Sequence, residues 1–269
     1  MLVAFAVIPF GDVLVVGERV VNLQIAPLDI GIMYVLAMMS LGVYGVVLGG
    51  WASNNRWSLL GGIRGSAQMI SYELPLGLAI VAMVLTYGTF DLQEMARAQG
   101  KLLWGWLPAW GILYQPLAFL ILFVAGIAES KRIPFDLPES ESELISGYFT
   151  EYSGMKHLMF FMTDFVEVII VSALVTTFFF GGWQVPYLMA SGFVFPWGGT
   201  IDLPNLVVVL LQMASFTIKI VFFCWLQIMI RWTIPRFRYD QLMHLGWLGL
   251  LPLGFANIVV TAMAILALQ

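Results

Sequence analysis

The sequence predicts an all-α polytopic membrane protein, with six complete transmembrane helices and an N-terminal helix fragment, on three observations. Hydrophobic residues make up 61% of the chain and charged residues 10%, whereas about a quarter of a soluble domain is charged. Apolar runs of roughly twenty residues, each long enough to cross a hydrocarbon core, alternate with polar connectors. The 20 Phe and 10 Trp suit helices anchored at the membrane interfaces, while a barrel would show alternating segments of about ten residues.

In chain order, residues 1–10 are apolar but stop at Pro9 and Gly11, about half of what a crossing needs. They read as the end of a longer helix whose start is missing. Residues 12–29 carry Asp12, Glu18, Arg19 and Asp29 and form a loop, and Ile30 to Gly50 is a charge-free first span. Trp51 to Arg64 is a polar connector, and Ser66 to Tyr87 returns with Gln68, Ser71, Tyr72 and Glu73 in its first half. In residues 88–106 the pattern of Leu92, Met95, Ala96 and Gln99 suits a short amphipathic helix on the surface. Leu107 to Ala128 is the third span, His157 to Phe180 the fourth, Leu206 to Ile230 the fifth and Leu245 to Leu268 the sixth. Gly181 to Pro204, with its prolines and aromatic residues, is a partly re-entrant or interfacial connector.

Between the third and fourth spans lies the most informative stretch, Glu129 to Lys156. It holds Glu129, Asp136, Glu139, Glu141, Glu143 and Glu151 of the 16 acidic residues, with Lys131, Arg132 and Lys156 of the 12 basic ones. Pro134 and Pro138 stiffen its start, and Tyr148 and Tyr152 flank Glu151 where a solvated hairpin would carry small polar residues. This is a folded loop of a single membrane domain. Connectors 51–65, 129–156 and 231–244 carry most of the Lys and Arg, so the positive-inside rule puts them, and the acidic loop, in the cytoplasm.

Charge inside a span is costly, so Glu73, Asp164, Glu167 and Lys219 face protein or water, not lipid. Each alone reads as hydrogen-bonding glue, but three carboxylates with a lysine favour a proton path, with Lys219 a candidate counter-ion. His157, Phe160, Asp164 and Glu167 share one helix face by spacing, as do Gln212, Ser215, Lys219 and Gln227. Other chemistries are set aside. Cys224 is the lone cysteine, which rules out an internal disulfide or a thiolate metal site. His157 and His244 lie at helix starts and do not suit haem, no phosphate-binding glycine loop occurs, and no basic patch suggests nucleic acid.

Three stretches, GWASNNRWSLLGGIRGSAQMISYE (50–73), AESKRIPFDLPESESELISGYFTEYSGMK (128–156) and IPRFRYDQLMHLGW (234–247), resemble the signature segments of the H-type (ND1-type) membrane component of respiratory complex I, the proton-pumping NADH:quinone oxidoreductase. The resemblance runs through essentially the whole chain. It implies a bacterial inner-membrane component that anchors the peripheral redox arm, helps form the quinone chamber and starts the charged path to proton transfer. It further implies quinone as substrate of the assembly, no cofactor or metal held by this chain, and partners that include an iron–sulfur subunit beside the quinone. Carried over by position, Glu73, Glu129, Asp136, Glu139, Glu141, Glu143 and Glu151 match the coupling carboxylates. Arg64, Arg132, Phe160, Phe161 and Met162 match the quinone vicinity. Where the family has Ala-Glu-Tyr in its sixth helix, this chain reads Thr163, Asp164, Phe165, a carboxylate one methylene shorter whose role Glu167 shares. A related anchor component of a membrane-bound hydrogenase or formate-oxidising complex, and a free-standing proton transporter, are the alternative readings.

Overall fold

The computed structural model describes residues 2–16, 19–103, 106–138, 145–189, 192–194 and 199–268. A 3-10 helix over Leu2–Val7 leads into a hairpin of β1 (Val13–Val16) and β2 (Arg19–Asn22), paired antiparallel from Val13 opposite Asn22 to Val16 opposite Arg19. Helices α1 (Gly31–Ala52) and α2 (Arg56–Tyr87) follow, then the short α3 (Leu92–Ala98). The two-residue strands β3 (Leu102–Leu103) and β4 (Leu107–Pro108) precede α4 (Gly111–Tyr114), α5 (Pro116–Glu129) and, beyond the loop, α6 (Gly154–Phe179). A small sheet in the order β5 (Leu188–Met189), β6 (Gly192–Val194), β7 (Thr200–Asp202) joins α6 to α7 (Asn205–Thr233). The chain ends in α8 (Tyr239–His244), a π-helical turn (Leu245–Leu250) and α9 (Leu251–Leu268), which run on as one rod.

Five helices among the described residues are long and apolar enough to span a membrane, where the sequence predicts six: α1, α2, α6, α7 and the rod Tyr239–Ala267. The expected span Leu107–Ala128 is broken. Its first residues are strand β4, α4 is 4 residues long and α5 only 14, roughly 21 Å against a core of about 30 Å. Pro116 is the cause: it lacks a backbone donor and drives the residue before it out of the helical region, and Gln115 has φ −135° and ψ 59°. A buried polar network holds the break. Gln115 Nε2 donates to Thr261 Oγ1 at 2.7 Å and Asn257 Nδ2 donates to Gln115 Oε1 at 3.0 Å. Gly111 is required here, because a Cβ would run into the carbonyl oxygen of Phe178.

Two other boundaries move. The start of the chain forms a 3-10 helix and a hairpin in place of a helix end, and the polar connector after Trp51 is already helical from Arg56, where Asn55 caps α2 by accepting from the backbone N–H of Trp57. Helix α2 is the centre of the bundle, packed against α1, α5 and α9. Tyr72, Leu76, Ala79, Ile80 and Met83 of α2 are buried with Ala118, Ile121, Leu122 and Ala125 of α5. Gly50 and Gly62 let α1 and α2 approach backbone to backbone, since a Cβ on Gly50 would lie 2.8 Å from Ser58 O. Leu92, Met95 and Ala96 of α3 are buried while Glu94 and Arg97 are exposed, the amphipathic arrangement its spacing predicts.

Three connectors meet at one end of this bundle. Asn55 Nδ2 donates to Glu151 Oε1 at 2.7 Å, and the Tyr152 hydroxyl donates to Gly49 O at 2.7 Å. The backbone N–H of Phe237 donates to Pro134 O at 3.1 Å. The loop between α5 and α6 is thereby fastened to the start of α2 and to the segment between α7 and α8.

Candidate functional site

The site grows from the end of α5. Directly after that helix Lys131 adopts a φ of +54°, uncommon for any residue but glycine, and the reversal brings its ammonium into the bundle. Lys131 Nζ lies 2.8 Å from Asp164 Oδ1 and 3.5 Å from Glu167 Oε2, with the three side chains only 1 to 2% exposed. Asp164 and Glu167 reach one cation because a spacing of three places them on the same face of α6. One ammonium against two carboxylates leaves a buried charge of −1, which a single proton neutralises. In the dry interior burial works to lower the affinity of Lys131 for its proton, but Glu167, Tyr148 and Asp164 outweigh it and hold the lysine well above its ordinary pKa.

A cavity of about 250 Å³ borders the cluster, between α1 and α6. Met38, Leu41, Gly42, Gly45 and Val46 form one wall, Tyr148, Phe160 and Thr163 another, and Lys131, Asp164 and Glu167 the polar end. Glu129, 4% exposed, feels the charges of both Glu167 and Glu73. Glu73 on α2 accepts a hydrogen bond from the Ser40 hydroxyl of α1.

Among the described residues of the loop, 130–138 are folded and largely buried. Gln68 Nε2 of α2 donates to Ala128 O and to Phe135 O, each at 2.7 Å, which clamps the loop's first turn to the bundle. Asp136 is bound by Arg236 Nη2 at 3.0 Å. Burial pushes the Asp136 carboxyl up to about 6 in spite of Arg236, Arg132 and Arg231 nearby. The Arg132 guanidinium lies 4.3 Å from the ring centre of Phe165 and 5.3 Å from that of Phe161, a cation–π arrangement strengthened by its burial. Further along, Ser58 Oγ of α2 donates to Gly147 O at 3.1 Å, and Tyr148, Phe149 and Tyr152 enclose Phe160 at 5.1 to 5.8 Å between ring centres.

The structure therefore brings together Glu129, Asp164, Glu167 and Phe160 of the sequence-predicted residues, with Glu73 and Arg132 beside them. Phe161 and Met162 face away from the cavity and are 37% and 53% exposed. Arg64 stacks over the Tyr239 ring at 5.8 Å, and Glu151 is exposed and held by Asn55. Glu139, Glu141 and Glu143 lie outside the described residues. Lys219 is elsewhere. Its Nζ donates to the carbonyls of Phe180, Gly182 and Gln184 at 2.8, 3.0 and 2.7 Å, beside the Trp110 ring, and so caps the negative end of α6. The counter-ion of the buried carboxylates is Lys131, which sequence reasoning leaves among the loop charges; its place directly after an apolar run is the available signal. Ser40 and the network at Gln115 also escape a reading of the sequence, since a single hydroxyl or amide in an apolar helix has no periodic pattern.

The profile of one protein family, described as NADH dehydrogenase, matches residues 1–262. Over 261 residues the chain is 46% identical to an H-type NADH-quinone oxidoreductase subunit of Cytophaga hutchinsonii, covering 97% of this chain and 72% of that relative. It is 44% identical to the counterpart of the same name in Protochlamydia amoebophila, covering 97% and 71%, and 46% identical to one from Geobacter metallireducens, covering 97% and 70%. The chain belongs to the NADH dehydrogenase family. This is the family to which its three motif stretches point, and two of them, 50–73 and 128–156, contribute directly to the buried site. Among the described residues no group of three or more His, Cys, Asp and Glu is placed to hold a metal ion.

Proposed function

We propose that this chain is the membrane component of proton-translocating NADH:quinone oxidoreductase that helps form the quinone chamber and couples quinone reduction to proton translocation. The observation that carries the coupling role is the Lys131–Asp164–Glu167 cluster, buried beneath a folded charged loop and bordered by a cavity. Quinone reduction consumes two electrons and two protons, and the electrons come from an iron–sulfur centre in a partner protein docked on the loop. The change in charge above the loop is felt by groups that cannot be screened by bulk water. Glu129 interacts electrostatically with both Glu167 and Glu73, so a proton taken up by one of these carboxylates alters the charge felt by the others. The cavity is polar at one end, where Lys131, Asp164 and Glu167 line it, and is roomy enough to hold water against that cluster. Phe161 and Met162 on the exposed face of α6, with the Arg132 guanidinium set over the Phe161 ring, form the side turned toward quinone in this reading. Asp136, Glu139, Glu141, Glu143 and Glu151 belong to the loop that transmits the change.

Neutralising the carboxylates tests this. In the assembled complex, Glu73→Gln, Asp164→Asn and Glu167→Gln keep shape and hydrogen bonding but remove the titratable proton. Each is expected to slow proton translocation in proteoliposomes by at least about tenfold while the complex still assembles. Pumping that persists in the triple variant would make these residues structural.

The loop and the two connectors it touches face the cytoplasm in this reading, as their shared basic residues require. Cysteines at Ser53 and Ser153 are expected to react with an impermeant thiol reagent from the same, cytoplasmic, side of sealed vesicles. Labelling of the pair from opposite sides is incompatible with the proposed topology.

A further inference from the structure

Ser40 is the one residue of α1 that hydrogen-bonds a carboxylate among the described residues, and it has two oxygen partners at once. Its hydroxyl lies against Glu73 Oε1 on α2 and 3.0 Å from Leu36 O, one turn back on its own helix. A serine hydroxyl owns one proton and two lone pairs, so it cannot donate to both oxygens together. We propose that Ser40 is a positioning residue for Glu73, whose hydroxyl turns between the two oxygens as Glu73 gains and loses its proton.

The proton balance of the two states is complete. With Glu73 ionised, the Ser40 hydroxyl donates to Glu73 Oε1, and Leu36 O keeps its ordinary helix bond from the backbone N–H four residues on. With Glu73 protonated, the new carboxyl O–H donates to Ser40 Oγ and the serine hydroxyl turns to Leu36 O. Serine loses no proton in either state. Each state leaves the half-buried Glu73 carboxyl bonded to the same hydroxyl, so it exchanges a proton without losing its partner on α1. A threonine can do the same, whereas an alanine leaves Glu73 without its partner on α1.

The surroundings make this single hydroxyl decisive. Helix α1 carries no charged side chain, and neither does α9 or the π-helical turn packed on α2. From α5 the one charged group is Glu129, which has Lys131, Asp164 and Glu167 behind it. Helix α8 brings Asp240 and His244, and the 3-10 turn Gly147–Phe149 brings Tyr148. Among the described residues Glu73 makes no ion pair, and Ser40 is the side-chain donor that meets it.

The inference rests on the reading of Glu73 as a proton carrier, and infrared difference spectroscopy on the assembled complex separates the two. The carbonyl stretch of protonated Glu73 is identified by its loss in Glu73→Gln. In Ser40→Ala that band is expected to move upward, as for a carboxyl freed from a hydrogen bond, and coupled turnover to slow about tenfold, the effect of one charge-assisted hydrogen bond. Ser40→Thr is expected to restore both. Ser40→Cys, a weaker donor, gives the same reading if the alanine variant does not assemble, with a smaller displacement of the band. A band that stays in place in Ser40→Ala and Ser40→Cys overturns the assignment even if turnover falls. If Glu73→Gln pumps normally while the band still answers to Ser40, the proton-carrier reading falls and the Ser40 contact stands.

Discussion

Lys131→Met is expected to destabilise the protein by about 3 to 5 kcal/mol, the cost of removing one partner from a buried ion pair. The methionine fills much the same volume, so the loss is electrostatic. Asp164 and Glu167 would be left 1% exposed, two carboxylates without the one cation that pairs with them among the described residues. They would then be accommodated only by taking up protons or admitting water, and either costs stability at neutral pH. Removing a carboxylate along with the lysine restores the count: Lys131→Met with Asp164→Asn leaves one acid in place of two and is expected to recover part of the loss. The measurement is thermal unfolding of the purified complex, with the amount assembled in the membrane as a second readout. Equal stability of Lys131→Met and the native protein would mean that the cluster is compensated from outside the chain.

The spans and their charged residues are legible because they follow the simplest physical rules. Runs without charge mark α1, and the spacing of Phe160, Asp164 and Glu167 places them on one face of α6. The expected third span fails for an equally physical reason. Residues 107–128 are apolar almost throughout, and hydropathy does not register that Pro116 and Gln115 interrupt the backbone when Thr261 and Asn257 are present to satisfy the break. That partner set comes from a helix more than a hundred residues away, which no local pattern reveals. The same limit hides the counter-ion. Lys219 lies in a span and Lys131 in a loop, so position along the chain suggests the former, while the left-handed turn at Lys131 delivers the latter to the carboxylates. The motif stretches carry what spacing cannot, for they point to the loop as part of the site without any knowledge of its buried position.

Gln68→Leu is expected to cost about 2 to 4 kcal/mol and to loosen the charged loop from the bundle, because it strips the donors from two buried carbonyls. Gln68 is fully buried, and its amide nitrogen supplies both protons to backbone carbonyls, Ala128 O at the end of α5 and Phe135 O in the loop, at 2.7 Å each. Those two carbonyls lie on either side of the lysine that neutralises the cluster, so this amide fixes the reversal that Lys131 needs. Leucine keeps the volume and removes both donors, leaving buried acceptors at about 1 to 3 kcal/mol each, partly relieved by relaxation. The loop is then held by the Asp136–Arg236 pair and by Ser58 and Asn55 further on, so it is expected to open locally before the bundle unfolds. Hydrogen exchange across residues 129–138 in the assembled complex reads this directly: faster exchange there, with α1 and α7 unchanged, is the expected pattern. Asn at this position, with the same amide on a shorter stem, is expected to fall between leucine and the native residue. Unchanged exchange in Gln68→Leu would show that the loop is held from the partner side, and that the amide clamp is incidental to how the buried charges are kept in place.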